Sequence, residues 1–268
     1  KINSVNYGFG ISMPTGQNKI YQRSTVPEGL ARFTDFGAGW QYIPSVEVVH
    51  LITERDRLTG RLSYTMRSSY DYSKEVPSAR VSPGNIFSQE VEYLHAGEKK
   101  QYMVQLYHNM TGRAEQDAVD TDSRTITGKN NYRDGDDWEL RYFHNQKVSK
   151  KDEVRFYAIY ALTGAASGIE SQSVARQYYG LGLRHSVSPK LAWLLMAHYS
   201  DVSSTSDPLR TALNTGGGFK RKSLVAGVEW KITERKNFTF QAERYVRSDD
   251  GGFGYNGWGV TFWYQETL

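Results

Sequence analysis

The 268-residue sequence predicts an all-β fold, a closed antiparallel transmembrane β-barrel of about twelve strands. Three observations predict it: apolar and polar residues alternate over segments of about ten residues, short and long connections alternate between these segments, and aromatic residues gather near segment ends. A mean hydropathy of −0.62 is compatible with this fold, since a membrane-crossing strand needs only every second residue to be apolar.

The last hairpin, residues 238–264, shows the alternation most clearly. Its apolar face consists of Phe238, Phe240, Ala242, Trp258, Val260, Phe262 and Tyr264. Gly257 and Gly259 lie on the other face and argue against a helix, because glycine destabilises a helix interior. This segment therefore predicts two paired strands.

The same period-two pattern recurs along the chain. We expect strands at 4–13, 33–51, 58–70, 86–96, 102–110, 138–142, 154–162, 178–187, 191–200 and 223–230, followed by the two arms of the last hairpin. Pro44 predicts a kink or a split in the second strand, because proline cannot donate to a β-ladder. Short charged turns alternate strictly with long polar connections, as in barrels with short periplasmic turns and long extracellular loops.

Composition narrows the possible functions. The chain has no cysteine, which excludes disulfides, zinc–thiolate sites and a cysteine nucleophile. Its 33 basic and 29 acidic residues are too evenly balanced to indicate a nucleic-acid partner. We expect one domain over residues 1–268, no cofactor, and the mature form of an exported protein, because the sequence opens on a strand pattern.

This architecture resembles Gram-negative outer-membrane β-barrels over the whole chain. The segment GWGVTFWY (257–264) resembles their terminal aromatic strand, although QETL follows it. The resemblance implies a bacterial outer-membrane location, contact with membrane lipid and lipopolysaccharide, and a monomer. Aromatic residues would then mark the membrane interfaces, at Tyr42, Tyr70, Trp138, Trp193, Trp230, Trp258 and Tyr264.

Two shorter stretches suggest narrower resemblances. The segments NYGFGISMPTG (6–16) and FGAGWQYIPSVEV (36–48) are similar to the small-channel family associated with aromatic-compound degradation. That resemblance implies a channel or porin for passive diffusion of small solutes. The segment AERYVRSDDGGFGYNGWGV (242–260) resembles barrels of exopolysaccharide exporters, which leaves polysaccharide export or a surface receptor as an alternative.

If the apolar faces meet lipid, the opposite faces line the interior of the barrel. We expect the pore-lining residues to be Arg61, Arg67, Glu90, Glu92, Gln105, Asn109, Glu139, Arg141, Arg155, Arg184, Glu229 and Glu243, with Asn6 and Gln241 on the same face. Two interpretations remain open: a charged network that braces or plugs a narrow barrel, and a charge-lined pore that selects small polar or anionic solutes.

An enzyme is the third possibility. His198 and Ser200 share one face of a strand, and a Ser–His pair oriented by an amide is typical of acyl transfer. Outer-membrane phospholipases carry a similar His-x-Ser followed by an asparagine. The asparagine here would be Asn214, at a different spacing, and the residues that follow the family's histidine are absent. We therefore expect no catalytic residues unless this lipid-hydrolase alternative holds.

Two charged segments remain. Asp134, Asp136 and Asp137 are weak candidates for a calcium site, but their spacing does not match an EF-hand, so we expect a solvated acidic loop and no metal. The basic segment 220–222 lies near a connection, where it would meet lipopolysaccharide phosphates or simply solvent.

Overall fold

The structure is a computed structural model that describes residues 2–13, 39–71, 78–120, 122–165, 167, 173–203, 218–233, 235–249 and 254–266. These residues form sixteen strands. They are β1 (Ile2–Ser12), β2 (Gln41–Leu51), β3 (Asp56–Arg67), β4 (Tyr70–Asp71), β5 (Arg80–Ser82), β6 (Ile86–Ala96), β7 (Lys100–Thr111), β8 (Ala114–Asp120), β9 (Thr125–Tyr132), β10 (Asp137–Lys147), β11 (Asp152–Thr163), β12 (Val174–Ser188), β13 (Leu191–Val202), β14 (Phe219–Lys231), β15 (Lys236–Asp249) and β16 (Gly254–Glu266). None of the described residues belongs to a helix long and apolar enough to cross a membrane.

The strands form two antiparallel sheets. The large sheet has the order β1-β2-β3-β6-β7-β10-β11-β12-β13-β14-β15-β16, and the small sheet has the order β4-β5-β8-β9. The all-β antiparallel fold is confirmed, but the total of sixteen strands differs from the expected twelve. In the described part of the chain β1 and β16 are the two ends of the large sheet, so the sheet is not closed there.

The two faces of the large sheet differ in chemistry and burial. Paired residues of an antiparallel ladder lie on one face, so the register assigns every side chain to a face. One face carries most of the charged residues, together with small residues and some apolar and aromatic ones, and several of its residues are buried: Glu92 is 7% exposed and Leu194 is 4% exposed. On the other face apolar residues are exposed, including Tyr7 at 84% and Trp258 at 72%. We call these the inward and the outward face.

Exposed apolar residues cover the outward face from β1 to β16, among them Val5, Phe9, Leu62, Val91, Leu106, Leu140, Leu181, Leu195, Leu224, Val228, Val260 and Phe262. A soluble sheet would bury such a face against a second layer. A sheet in a bilayer leaves it exposed to lipid, because the acyl chains replace the missing layer.

Three of the short turns share one hydrogen-bond pattern. The backbone N–H groups of Ile52, Val148 and Ile232 donate to carbonyl oxygens four residues later at 2.9, 3.0 and 2.9 Å. In two of them an aspartate closes the turn. Asp56 accepts from the Thr53 hydroxyl and lies 2.8 Å from Nδ1 of His95, its cross-strand partner.

Asp152 repeats this arrangement. It accepts from the Ser149 hydroxyl at 2.5 Å and lies 2.7 Å from Nδ1 of its cross-strand partner His185. Each of these aspartates therefore ties its turn to the next strand of the sheet.

The small sheet is built from two of the connections that were expected to be long and polar. The strands β4 and β5 lie between β3 and β6, whereas β8 and β9 lie between β7 and β10. Ala79, Val81 and Val119 form a buried apolar cluster, and Tyr70 packs against it. The expectation that Tyr70 marks a membrane interface is therefore wrong, because its ring belongs to the core of the small sheet.

Three other boundaries differ from expectation. The second strand is continuous from Gln41 to Leu51, and its register with β3 keeps step across Pro44, so proline does not split it. Residues 33–38 of that expected strand lie outside the described residues. The connection between β15 and β16 has only four residues, so the strict alternation of long and short connections fails at the last hairpin.

Candidate functional site

The candidate site is the inward face of the large sheet. The register places all twelve expected pore-lining residues on this one face: Arg61, Arg67, Glu90, Glu92, Gln105, Asn109, Glu139, Arg141, Arg155, Arg184, Glu229 and Glu243. Asn6 and Gln241 lie on it too. Successive side chains of a strand point to opposite faces. These residues share one face because no strand breaks this alternation between its short turn and its long connection.

Hydrogen-bonded charges run across the first half of this face. Arg61 donates from Nε to Glu47 and from Nη1 to Glu90 at 2.5 Å. Glu90 also accepts from Gln105 Nε2 at 2.8 Å. The amide oxygen of Gln105 in turn accepts from Arg141 at 3.2 Å. One arginine thus bridges two carboxylates, and the chain of contacts extends from β2 to β10.

The second half carries further pairs of opposite charge. Arg184 Nε donates to Glu229 at 2.5 Å, and Arg155 lies between Glu153 at 2.7 Å and Glu229 at 3.6 Å. Nearer the long connections, Arg221 Nη2 donates to Glu243 at 2.7 Å. The inward face therefore presents charges of both signs that are largely compensated by their neighbours.

Two of the expected residues have other surroundings. Arg67 donates from Nε to the carbonyl of Gly84 at 2.6 Å, which ties the end of β3 to the start of β6. Asn109 has a buried Oδ1 without a hydrogen-bond partner among the described residues. Both lie at the end of the sheet where the long connections begin.

A row of rings crosses the inward face between β10 and β15, and the sequence did not reveal it. Phe143 pairs with Tyr157, and their ring centroids are 6.3 Å apart. The next aromatic ring is that of His198, 5.7 Å from the Tyr157 ring. The same row of the sheet ends at Tyr245, whose ring lies under the guanidinium of Arg221 at 4.5 Å.

Glycines allow these rings to lie flat. Tyr157 lies across Gly180, where a Cβ atom would collide with the ring, and Tyr245 lies across Gly257 in the same way. The alternation of Gly180 and Gly182 with Tyr179 and Leu181 was a visible signal. It was assigned only to strand periodicity, because the sequence does not show which cross-strand neighbour a glycine meets.

A concave region of about 480 Å³ lies against the inward side of β1, β2, β3, β6 and β7. Its lining includes Asn6, Glu47, Arg61, Glu90 and Tyr107. Beside Arg61 and Glu90, the described side chains therefore leave an open space in front of the inward face.

The structure gives little geometric support to a Ser–His pair. His198 and Ser200 both lie on the inward face of β13, but His198 Nδ1 lies 2.7 Å from the hydroxyl of Tyr157. Ser200 lies opposite Arg221 on β14. Asn214, the third residue of this alternative, lies outside the described residues.

The candidate metal ligands do not converge. Asp136 pairs with Arg133 at 2.7 Å, and Asp137 begins β10 on the inward face. Within the described residues no group of three acidic or histidine side chains is placed to hold a metal ion. Asp134 is exposed beside them.

The outward face carries the basic residues near the long connections. Lys220 and Lys222 point outward from β14, and Lys220 lies 3.8 Å from Asp201. Arg221, between them, points inward. Arg244 of β15 also lies on the outward face, where its guanidinium donates to Asn256 Oδ1 at 2.8 Å.

Comparison with known proteins supports the fold. No family model matches the chain, and no curated protein matches it. The structure is similar to the outer membrane channel DcaP of Acinetobacter baumannii, with a TM-score of 0.55 and 11% identity over 98% of this chain and 72% of that one.

Weaker likenesses are found to other outer-membrane proteins. OmpT of Vibrio cholerae gives a TM-score of 0.39 at 9% identity, covering 97% of this chain and 99% of that one. The β domain of the Bordetella autotransporter BrkA gives 0.35 at 15% identity, covering 85% and 92%. The two-faced sheet and its likeness to DcaP together show that the chain has the fold of outer-membrane β-barrel proteins.

Proposed function

We propose that the chain is an outer-membrane channel for passive diffusion of small solutes through a charge-lined lumen. The observation that carries this proposal is the contrast between the two faces of one sheet. The outward face exposes apolar side chains, whereas the inward face carries hydrogen-bonded charges of both signs beside an open concave region. The similar DcaP structure is that of a channel, which favours the same function here.

The channel requires that the large sheet close, and we propose that β1 pairs with β16. An open edge in lipid would leave backbone N–H and C=O groups unpaired, at a cost of several kcal/mol each. The chemistry of the two edges favours closure. Both have small or polar inward residues, such as Gly8 and Gly259, and both have large apolar outward residues, such as Phe9 and Phe262.

Such a barrel would have twelve spanning strands, with the small sheet at the end of the long connections. Twelve strands lie between barrels that side chains fill and barrels that leave a wide aqueous channel. We propose that the protein acts as a single-domain monomer and that its outward face meets membrane lipid. Lys220 and Lys222 would lie near lipopolysaccharide phosphates.

Single-channel conductance tests the function. We expect purified protein in a planar bilayer to show discrete open steps in potassium chloride, because compensated charges keep the lumen hydrated. A reversal potential measured in a salt gradient gives the preferred ion. A well-folded protein that never conducts would contradict the channel and favour a plugged exporter or a receptor barrel.

The lipid-hydrolase alternative has its own test. Tyr157, not Ser200, is the hydrogen-bond partner of His198 Nδ1, so we propose that the chain is not an enzyme. Esterase activity of the wild type that is abolished in Ser200→Ala would overturn this proposal. Activity retained in that variant would point to contamination.

A further inference from the structure

The row of rings on the inward face is not explained by the charge pairs of that face. It consists of Phe143, Tyr157 and His198, and it ends at Tyr245. The row crosses six neighbouring strands, and at about 4.8 Å between strands it is roughly 24 Å long. We call these four residues the aromatic track.

The rings lie along the wall. A ring that lies across a glycine turns one face to the sheet and the other to the space in front of it. Tyr157 lies in this way across Gly180, and its hydroxyl is fixed 2.7 Å from His198 Nδ1. Phe143, Tyr157 and His198 are only half-buried, so part of each side chain is accessible.

Hydrogen-bonding groups flank the track on both sides. The neighbouring row toward the long connections contains Arg141, Ser200 and Arg221, and the row toward the short turns contains Arg155 and Glu243. A solute lying on the rings would therefore have donors and acceptors at both of its edges.

The charged groups that flank the track are already paired with each other. This pairing favours a neutral solute. Arg141 donates to Glu139 at 2.5 Å, and Arg221 donates to Glu243 at 2.7 Å. An anion would have to compete with a carboxylate that is already in place for each guanidinium. A neutral hydroxyl can donate to the carboxylates and accept from the arginines without breaking either pair.

We propose that the aromatic track is a binding site for neutral carbohydrates. Pyranose rings have flat faces of C–H groups that suit the negative face of an aromatic ring, and their equatorial hydroxyls reach sideways to the flanking groups. This inference rests on the proposed channel function, for which it names the solute class.

Isothermal titration of the detergent-solubilised protein tests the site without requiring conductance. Maltotriose is the probe, and sorbitol is the matched control because it has the hydroxyls of a sugar without a ring face. We expect maltotriose to bind and sorbitol not to bind. Added sodium chloride should leave the maltotriose affinity almost unchanged, because maltotriose carries no charge.

Substitutions at Tyr157 separate the ring from its hydroxyl. Tyr157→Leu removes the ring, and we expect it to weaken maltotriose binding about tenfold, in line with one lost stacking contact. Tyr157→Phe keeps the ring and should retain most of the affinity. Phe143→Leu is a second ring-removing variant, which keeps both residues of the Tyr157–His198 hydrogen bond, in case Tyr157→Leu does not fold.

The outcomes are distinct. Absence of maltotriose binding, equal binding of sorbitol, or unchanged affinity in folded Tyr157→Leu and Phe143→Leu overturns the inference. Tighter binding of benzoate than of maltotriose also overturns it, because it would indicate an aromatic anion. A protein that binds maltotriose but never conducts contradicts the channel and supports the binding site. A protein that conducts but does not bind maltotriose supports the channel and contradicts the binding site.

Discussion

The hydroxyl of Tyr157 on β11 lies 2.7 Å from Nδ1 of His198 on β13, and the Tyr157 ring bridges the intervening strand across Gly180. Three consecutive strands are thereby locked in one register by a single side chain. The arrangement works only if the middle position has no Cβ atom. It joins two residues separated by 41 positions in the sequence.

Gly180→Ala should therefore destabilise the large sheet. The added Cβ would collide with the Tyr157 ring, which cannot move away without losing its bond to His198. Overpacking of this kind costs about 1–3 kcal/mol. Urea unfolding in detergent micelles measures the change. Gly259→Ala is the control, because a Cβ there meets only ordinary contacts with Glu243, and equal losses in both variants would contradict the argument.

Arg61→Gln should make the channel more selective for cations. Arg61 bridges Glu47 and Glu90, so its removal leaves two carboxylates uncompensated on the inward face. The reversal potential in a potassium chloride gradient should shift toward the potassium equilibrium value. Arg55→Gln is the control, because Arg55 lies exposed in a short turn, 3.8 Å from Glu98. An unchanged reversal potential in Arg61→Gln would mean that the inward face around Arg61 does not border the ion path.

Asp152→Ala should destabilise the sheet near its short turns. It would remove the acceptor of both the Ser149 hydroxyl and His185 Nδ1. Loss of buried or half-buried hydrogen bonds typically costs about 1–3 kcal/mol. Asp152→Asn keeps one of the two acceptor oxygens and should recover about half of the loss in an unfolding titration. If the asparagine variant is as unstable as the alanine variant, the carboxylate charge matters more than the hydrogen bonds.

The turn at the end of β8 should lose protection in acid. Asp120 accepts from the Ser123 hydroxyl at 2.7 Å and from the backbone N–H of Asp122 at 2.9 Å. These hydrogen bonds, led by that of the Ser123 hydroxyl, lower the pKa of Asp120. The stabilisation is thus present above the carboxyl pKa of the unfolded chain and is lost as the pH falls through the lowered value of the folded state.

Hydrogen exchange at the amides of Asp122 and Ser123 measures this loss. After correction for intrinsic rates, protection in the wild type should fall in acid. Asp120→Asn keeps an acceptor but does not titrate, so its protection should vary little with pH. Parallel profiles for the two proteins would rule out Asp120 as the titrating group.

Closure of the large sheet is testable by cross-linking, because the chain contains no cysteine. Asn6→Cys can be combined in turn with Gly259→Cys, Thr261→Cys or Trp263→Cys, which all lie inward on β16. We expect one combination to oxidise within a single molecule, seen as faster migration of the unreduced protein. Cross-linked dimers, or no cross-link in any combination, would contradict a β1–β16 pairing.

Periodicity sufficed to predict the faces of the spanning strands. Arg61 and Glu90 share a face because each strand keeps its alternation, and this required no knowledge of register. Periodicity also misled at Tyr70. The alternation of β3 runs on past Arg67, but the chain leaves the large sheet and buries Tyr70 against Val81. Alternation in the sequence predicts a strand but does not show which sheet that strand joins.

The aromatic track was missed for a related reason. Phe143 and Tyr157 lie on the inward face of strands whose outward faces are also aromatic, so neither stands out in the sequence. Their significance depends on Gly180 and His198, which are brought beside them only by cross-strand pairing. Contacts of that kind are set by register over long sequence separations, and no local pattern encodes them.

The small sheet has a consequence for how two of the long connections open. Val81 of β5 pairs with Gln116 of β8, so two connections that are separated by the whole β6–β7 hairpin share one ladder and one apolar cluster. They form a single cooperative unit in the sense of native-state exchange. Local unfolding of either connection removes the packing of the other. A protease that nicks one of them should therefore find the second already exposed, and the two should be cut together.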